Sequence, residues 1–240
     1  MHARPAWAAT AGQGEAYVRG LRAVLGVGGY VLFAGSVGFG ALIRDLGLGV
    51  GFAIWSSVVL YALPAQVIMA TALAGNASLI AAAFAVSLTS IRLLPMTVTL
   101  TPLLRDNRGR HWREVMAVHL VTITSWIEGN RRLGPLPPAI RLSHFLGFGS
   151  GFMAFTAIGA AVGFAIAGSM PVALTAALLF FTPSYFTLSM LATARVPADR
   201  LAVALGFVIG PLVYRFAPDL DLVVAGIVGG TIAYRAGRRR

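Results

Sequence analysis

A chain of 240 residues in which 58% of positions are hydrophobic and 11% charged, with a mean hydropathy of +0.80, holds more apolar surface than a soluble domain can cover. The net charge of +11 comes from 19 arginines with no lysine, an excess that in a membrane protein marks cytoplasmic loops and excludes nucleic-acid binding as the main role. The absence of cysteine removes disulfides, thiol nucleophiles and zinc-thiolate sites.

The sequence is that of a polytopic, all-α membrane protein, because a bilayer core takes roughly 20 apolar residues per helix and such runs recur along the chain. Residues 1–20 lack the apolar core of a cleaved signal and read as a tail at the surface. Apolar runs follow at 21–43, 51–74, 78–104, 143–169, 171–192, 200–217 and 219–235, which gives seven spans. The segment VMAVHLVTITSWI at 115–127 is too short and too polar for a lipid-facing span and reads as an interfacial, re-entrant or buried helix; if it crosses, the spans are eight. The organisation expected is a tail (1–20), a three-helix repeat (21–104), a basic loop with a short amphipathic or re-entrant helix (105–142), a second three-helix repeat (143–217), and a final helix with a basic tail (218–240). With seven spans the loops carrying Arg44, Arg105, Arg113, Arg131 and Arg132 share the cytoplasmic side, the N-terminus with Arg19 and Arg22 lies outside, and the C-terminus is cytoplasmic.

The two repeats are suggested by Pro64 in LYALPAQVIMATALA and Pro183 in LFFTPSYFTLSMLAT, 119 positions apart, an offset that also aligns Gly28 with Gly147 and Gly40 with Gly159. A mid-span proline frees the carbonyl four residues back, and matched broken helices point to a substrate site near the bilayer midplane. Polar neighbours of the two prolines, Gln66 on one side and Ser184 and Tyr185 on the other, add donors and acceptors there. In LTSIRLLP, Arg92 lies too deep in its span to reach either interface, so it faces protein or a cavity, where its planar guanidinium suits a substrate carboxylate. Thr89 and Thr99 lie near it on the helix wheel, while Ser87, Ser90, Thr97 and Thr101 form a second polar stripe. The candidate substrate site is therefore Arg92, Gln66, Pro64, Ser90, Thr89, Pro183, Ser184 and Tyr185.

No acidic residue sits mid-span, so no carboxylate proton relay is visible. Small-residue pairs Ser36/Gly40, Gly147/Gly151, Gly159/Gly163 and Gly226/Gly230 allow close helix packing. His144 and Ser150 are too far apart on one helix to act as a hydrolase pair. The four histidines form no close-spaced ligand pair, so no metal and no cofactor is expected, and the chain is not read as an enzyme.

The stretches GFGALIRDLGLGVGFAIWSSVVLYALPAQ, LTSIR and FFTPSYFTLSML resemble, in order and over nearly the whole chain, the AzlC-type permeases, the large subunit of branched-chain amino acid exporters. The resemblance places Gln66, Arg92 and Pro183 on family motif positions. It implies export of branched-chain or related amino acids by alternating access, with a small AzlD-type membrane subunit as partner beside the lipid bilayer. The chain departs from that pattern at Leu63-Pro64-Ala65, where relatives have Gly-Ala-Ser. It also has Ser90 and Leu93 around the arginine where relatives have an Asn or Asp and a His, and Ser125 and Trp126 where an acidic pair is expected. The alternatives are a transporter of another small carboxylate-bearing solute and a non-transporting assembly subunit in which Arg92 only braces the bundle.

Overall fold

One long helix organises the molecule. The structure, a computed structural model, describes residues 5–105, 111–169, 171–193, 197–216 and 221–238, and among them there are helices and no strand. The helices are α1 (Gln13–Ala23), α2 (Val27–Asp45), α3 (Val50–Val59), α4 (Leu63–Ala74), α5 (Leu79–Ser90), α6 (Leu93–Leu104), α7 (His111–His119), α8 (Ile123–Arg132), α9 (Pro138–Ile166), α10 (Val172–Thr193), α11 (Pro197–Tyr214) and α12 (Asp221–Arg238). Among them α2, α9 with the short turn after it, and α11 are long and apolar enough to cross a membrane; α5 and α6 meet that test together, bent by 52°.

The 29-residue α9 starts on two prolines, whose fixed φ and missing amide suit a first turn. It is lined along its length by α1 and then α2, which run in its own direction. Gly20 lies on the carbonyl of His144 and Gly147 on that of Tyr17; further along, Gly40 meets the Ala160 carbonyl and Gly163 that of Val37. At each of these a methyl group would overlap a backbone oxygen, so the helices approach to a separation that only glycine permits. Three of the four small-residue pairs noted in the sequence thus form one seam, whereas a Cβ at Gly226 or Gly230 would meet nothing. Phe145, Phe148 and Phe152 of α9 fill the core beside the seam, each at most 1% exposed, and stack edge-on in sequence.

The seam also fixes two ends. At one, Arg113 donates to Gln13 Oε1 and to Ser143 Oγ, and Arg19, Arg22 and Arg132 line one surface cleft with Trp7 and His144. At the other, Arg44 donates to the Phe164 and Ala165 carbonyls at 3.0 and 3.2 Å, where the last carbonyls of α9 attract a cation. The seven-span arrangement sets Arg19 and Arg22 opposite Arg44, Arg113 and Arg132. The fold instead puts Arg19 and Arg22 at the end that holds Arg113 and Arg132 and leaves Arg44 at the other, because α1 packs beside the first turns of α9 and α2 carries the chain to the far end.

Two regions expected as single helices are broken hairpins. The run 51–74 divides into α3 and α4, and Ala53 in the first turn of α3 and Ala70 in the second half of α4 share one buried cluster with Phe39 and Ile43 near the far end. The short segment 115–127 divides between α7 and α8; Arg113 at the outer end of α7 and Arg132 at the outer end of α8 both lie at the arginine-rich end. Each hairpin therefore enters the bundle and returns to the end it came from, and the two come from opposite ends. Their interruptions, 60–62 and 120–122, stand 60 positions apart, and this is the pairing of broken helices the fold displays. Pro183 does not mark a matching break, because α10 runs through it unbroken; one proline costs a helix one hydrogen bond and need not end it.

Candidate functional site

The two hairpin tips meet the bend between α5 and α6 at mid-bundle. Their junction leaves a narrow crevice lined by Tyr61 to Pro64, Gln66, Arg92, Leu93 and Thr122 to Thr124, with Leu32 of α2 and Thr156 of α9 closing its wall.

Each break has a local cause. Tyr61 ends α3 in the left-handed region, at φ 44°, and its amide reaches back to the Ser56 carbonyl, the closure that usually calls for glycine. Chains leave the far end of α2 and the end of α4 in the same way through Gly47 and Asn76, residues suited to it. Tyr61 is held there by its hydroxyl, which donates to the Gly149 carbonyl of α9 at 3.2 Å. Pro64 occupies the first turn of α4, where no amide is missed. It therefore starts a helix and does not kink one. Similarly Pro95 lies in the first turn of α6, and the Ile91 carbonyl four residues before it accepts from the Leu94 amide at 3.0 Å. The α7–α8 break contains neither proline nor glycine. It is made by Thr122, whose hydroxyl caps the Ser125 amide while Ser125 Oγ accepts from the Thr122 amide, a reciprocal cap that satisfies two first-turn donors.

The tips touch directly. His119 Nε2 lies 2.9 Å from the Val58 carbonyl, and the Tyr61 and His119 rings face each other at 6.5 Å. Gln66 crosses its own hairpin, donating from Nε2 to the Ser56 carbonyl at 3.0 Å. Arg92, the residue before the first turn of α6, places its guanidinium at the cavity wall, and its Nε is buried without an acceptor among the described residues. An unpaired buried donor of this kind is rare in a finished core. First-turn amides of a helix lack intrahelical acceptors, and the N-terminal turns of α4, α6 and α8 all line the cavity, so partial positive charge from three helices adds to that of Arg92.

Of the residues expected in the site, the structure brings Arg92, Gln66 and Pro64 together. Thr89 and Ser90 do not line the cavity; each bonds to a carbonyl of its own helix, Ala85 and Val86. Thr99 likewise bonds back within α6 and accepts from Trp126 Nε1 at 3.0 Å, tying α6 to α8. Ser184 is on α10 and bonds to the Phe180 carbonyl, away from this cavity. The side chains of Pro183 and Tyr185 lie outside the described residues. Tyr61, Thr122, Thr124 and Thr156 line the site without having been singled out. The Thr-x-x-Ser spacing at 122–125 was the one readable sign among them.

Among the described residues no group of His, Asp and Glu is arranged to hold a metal ion. The family model described as AzlC protein matches residues 28–170, more than half of the chain and a stretch that holds every residue of the cavity. Comparison with curated proteins gives no match, and comparison with solved structures gives none.

Proposed function

The chain belongs to the AzlC family, and from that premise we propose that it is an integral membrane permease that exports a small carboxylate-bearing solute with a branched apolar body, the branched-chain amino acids among them. The observation that carries this reading is Arg92. It is a guanidinium at the wall of a mid-bundle cavity, with a buried donor that no described side chain or carbonyl takes. A carboxylate bound beside Arg92 would pair with its guanidinium, and the apolar walls formed by Leu32, Leu63, Leu93 and Ile123 would receive the side chain.

The topology we propose has α1–α2, the bent pair α5–α6, and α9 to α12 crossing the membrane, with α3–α4 and α7–α8 as re-entrant hairpins. Irregular backbone at membrane depth is tolerated where it lines a cavity, and paired broken helices entering from opposite sides are a recurrent way to build an alternating-access site. The arginine-rich end, with the N-terminus, faces the cytoplasm by the positive-inside rule. Exposed apolar side chains along α10 to α12, such as Phe180, Phe207 and Ile227, face lipid or a small AzlD-type subunit.

Reconstituted vesicles test the permease reading. Purified protein, alone or with a small partner subunit, is expected to move at least one member of a panel of branched-chain amino acids and their deaminated acids; movement of none defeats it. Arg92→Leu is expected to insert normally and to lose transport. Loss of assembly in both Arg92→Leu and Arg92→Lys would assign the arginine to bracing the bundle.

A further inference from the structure

The cavity presents only one sign of charge. It is lined by the first turns of three broken helices and by Arg92, and no lining residue is acidic. The C-terminal ends of the same broken helices, whose carbonyls would suit an ammonium group, do not line it. Carbonyls at the ends of α3 and α7 are already engaged from within the protein: the Ser56 carbonyl takes Gln66 Nε2, the Val58 carbonyl lies against His119 Nε2, and the Leu120 carbonyl takes Ser125 Oγ at 2.6 Å. The acidic side chain of α8, Glu128, is two turns away on the cytoplasmic side and accepts from Arg132 Nε.

Resting on the permease reading above, we infer that the site recognises the carboxylate and apolar body of its substrate and gives an α-ammonium group no anionic partner, so that a branched monocarboxylate without an amino group is its better ligand. A monoanion matches the guanidinium and the three helix N-termini. In a zwitterion of the same shape the second charge sits one carbon from the carboxylate, within the same positive field, and loses its hydration without gaining an anion. The walls set the remaining chemistry: Leu32, Leu63, Leu93 and Ile123 fit an aliphatic branch, and the Thr122, Thr124 and Thr156 hydroxyls can satisfy a 2-oxo or 2-hydroxy oxygen.

Binding to the full-length protein in nanodiscs tests this with four probes of one carbon skeleton: 3-methylbutanoate, 4-methyl-2-oxopentanoate, leucine and 3-methylbutylamine. Calorimetric titration of the unaltered chain is expected to show the two acids binding at least about tenfold more tightly than leucine, with no binding of the amine. Leucine binding as tightly as the acids, or any saturable binding of the amine, would overturn the inference. If that leucine binding is lost in Arg92→Gln, the permease site survives while its selectivity is refuted. Binding of none of the four, or acid binding that Arg92→Gln leaves unchanged, would remove the Arg92 site itself. The ligand comparison uses the natural sequence, so its outcome stands whether or not the variant folds.

Discussion

The seam along α9 and the pair of hairpins are built from the same residue types, yet they solve opposite problems. Along the seam, glycines let three helices touch backbone to backbone, which leaves no room for a side chain at those contacts. At the hairpin tips the backbone turns aside, and Thr122, Gln66 and His119 occupy its exposed amides and carbonyls, yet a cavity and the unpartnered Arg92 Nε remain. The difference teaches that, among the described residues, the buried side-chain donor left without a partner lies at the broken helices and not on the seam. A helix bundle can be closed everywhere else by small residues, so the open, polar centre is a feature that the surrounding packing sustains.

The contrast can be broken most severely through the hairpins' direction of entry. Single cysteines at Gly14 and Gly134 are expected to label from one side of the membrane and one at Gly47 only from the other; labelling of Gly14 and Gly134 from opposite sides would dismantle the paired-hairpin arrangement. Next comes Arg92→Leu. Substrate binding is expected to weaken by about 2–5 kcal/mol, measured by titration, while the thermal midpoint of the empty protein holds or rises because an unpaired buried donor has gone. A fall in the midpoint would move Arg92 to the scaffold. On the seam, Gly40→Leu forces a side chain into the Ala160 carbonyl and is expected to destabilise the protein by about 3 kcal/mol, read as loss of monodisperse material in detergent. Thr122→Ala removes the cap of α8 and is expected to cost about 1 kcal/mol, with a larger loss of transport than of stability. The smallest effect belongs to Gly230→Ala, which meets no neighbour and is expected to stay within about 0.5 kcal/mol of the parent.

Much of this was legible in the sequence. The apolar runs mark helices because their length matches a bilayer, and the small-residue pairs on α2 and α9 mark a seam because their spacing repeats on one face. Arg92 is identified as a cavity residue by cost alone, since no lipid-facing position tolerates it. The misplaced elements have equally physical reasons. Pro64 and Pro183 look alike in sequence, but a proline two positions into a helix begins it, whereas one within it can be absorbed; local composition does not distinguish these outcomes. The break at 120–122 carries no proline or glycine, and its sign is a hydroxyl cap that also occurs in loops. The N-terminal arginines were set opposite Arg113 and Arg132 because residues 1–20 read as a tail and not as part of a span, although α1 supplies the first part of the seam.

Arg44 has a consequence for the molecule as an electrical object. Its charge is drawn onto the last carbonyls of α9, so among helices α1 to α9 the far end offers solvent no other arginine, while Arg19, Arg22, Arg113, Arg131, Arg132 and Arg141 gather at the opposite end. Across a membrane that sustains a voltage, each elementary charge moved through it is worth about 2.3 kcal/mol per 100 mV. In the orientation proposed above, the arginine-rich end lies on the negative side, and the protein's own asymmetry would then act as a latch for as long as the membrane stays energised.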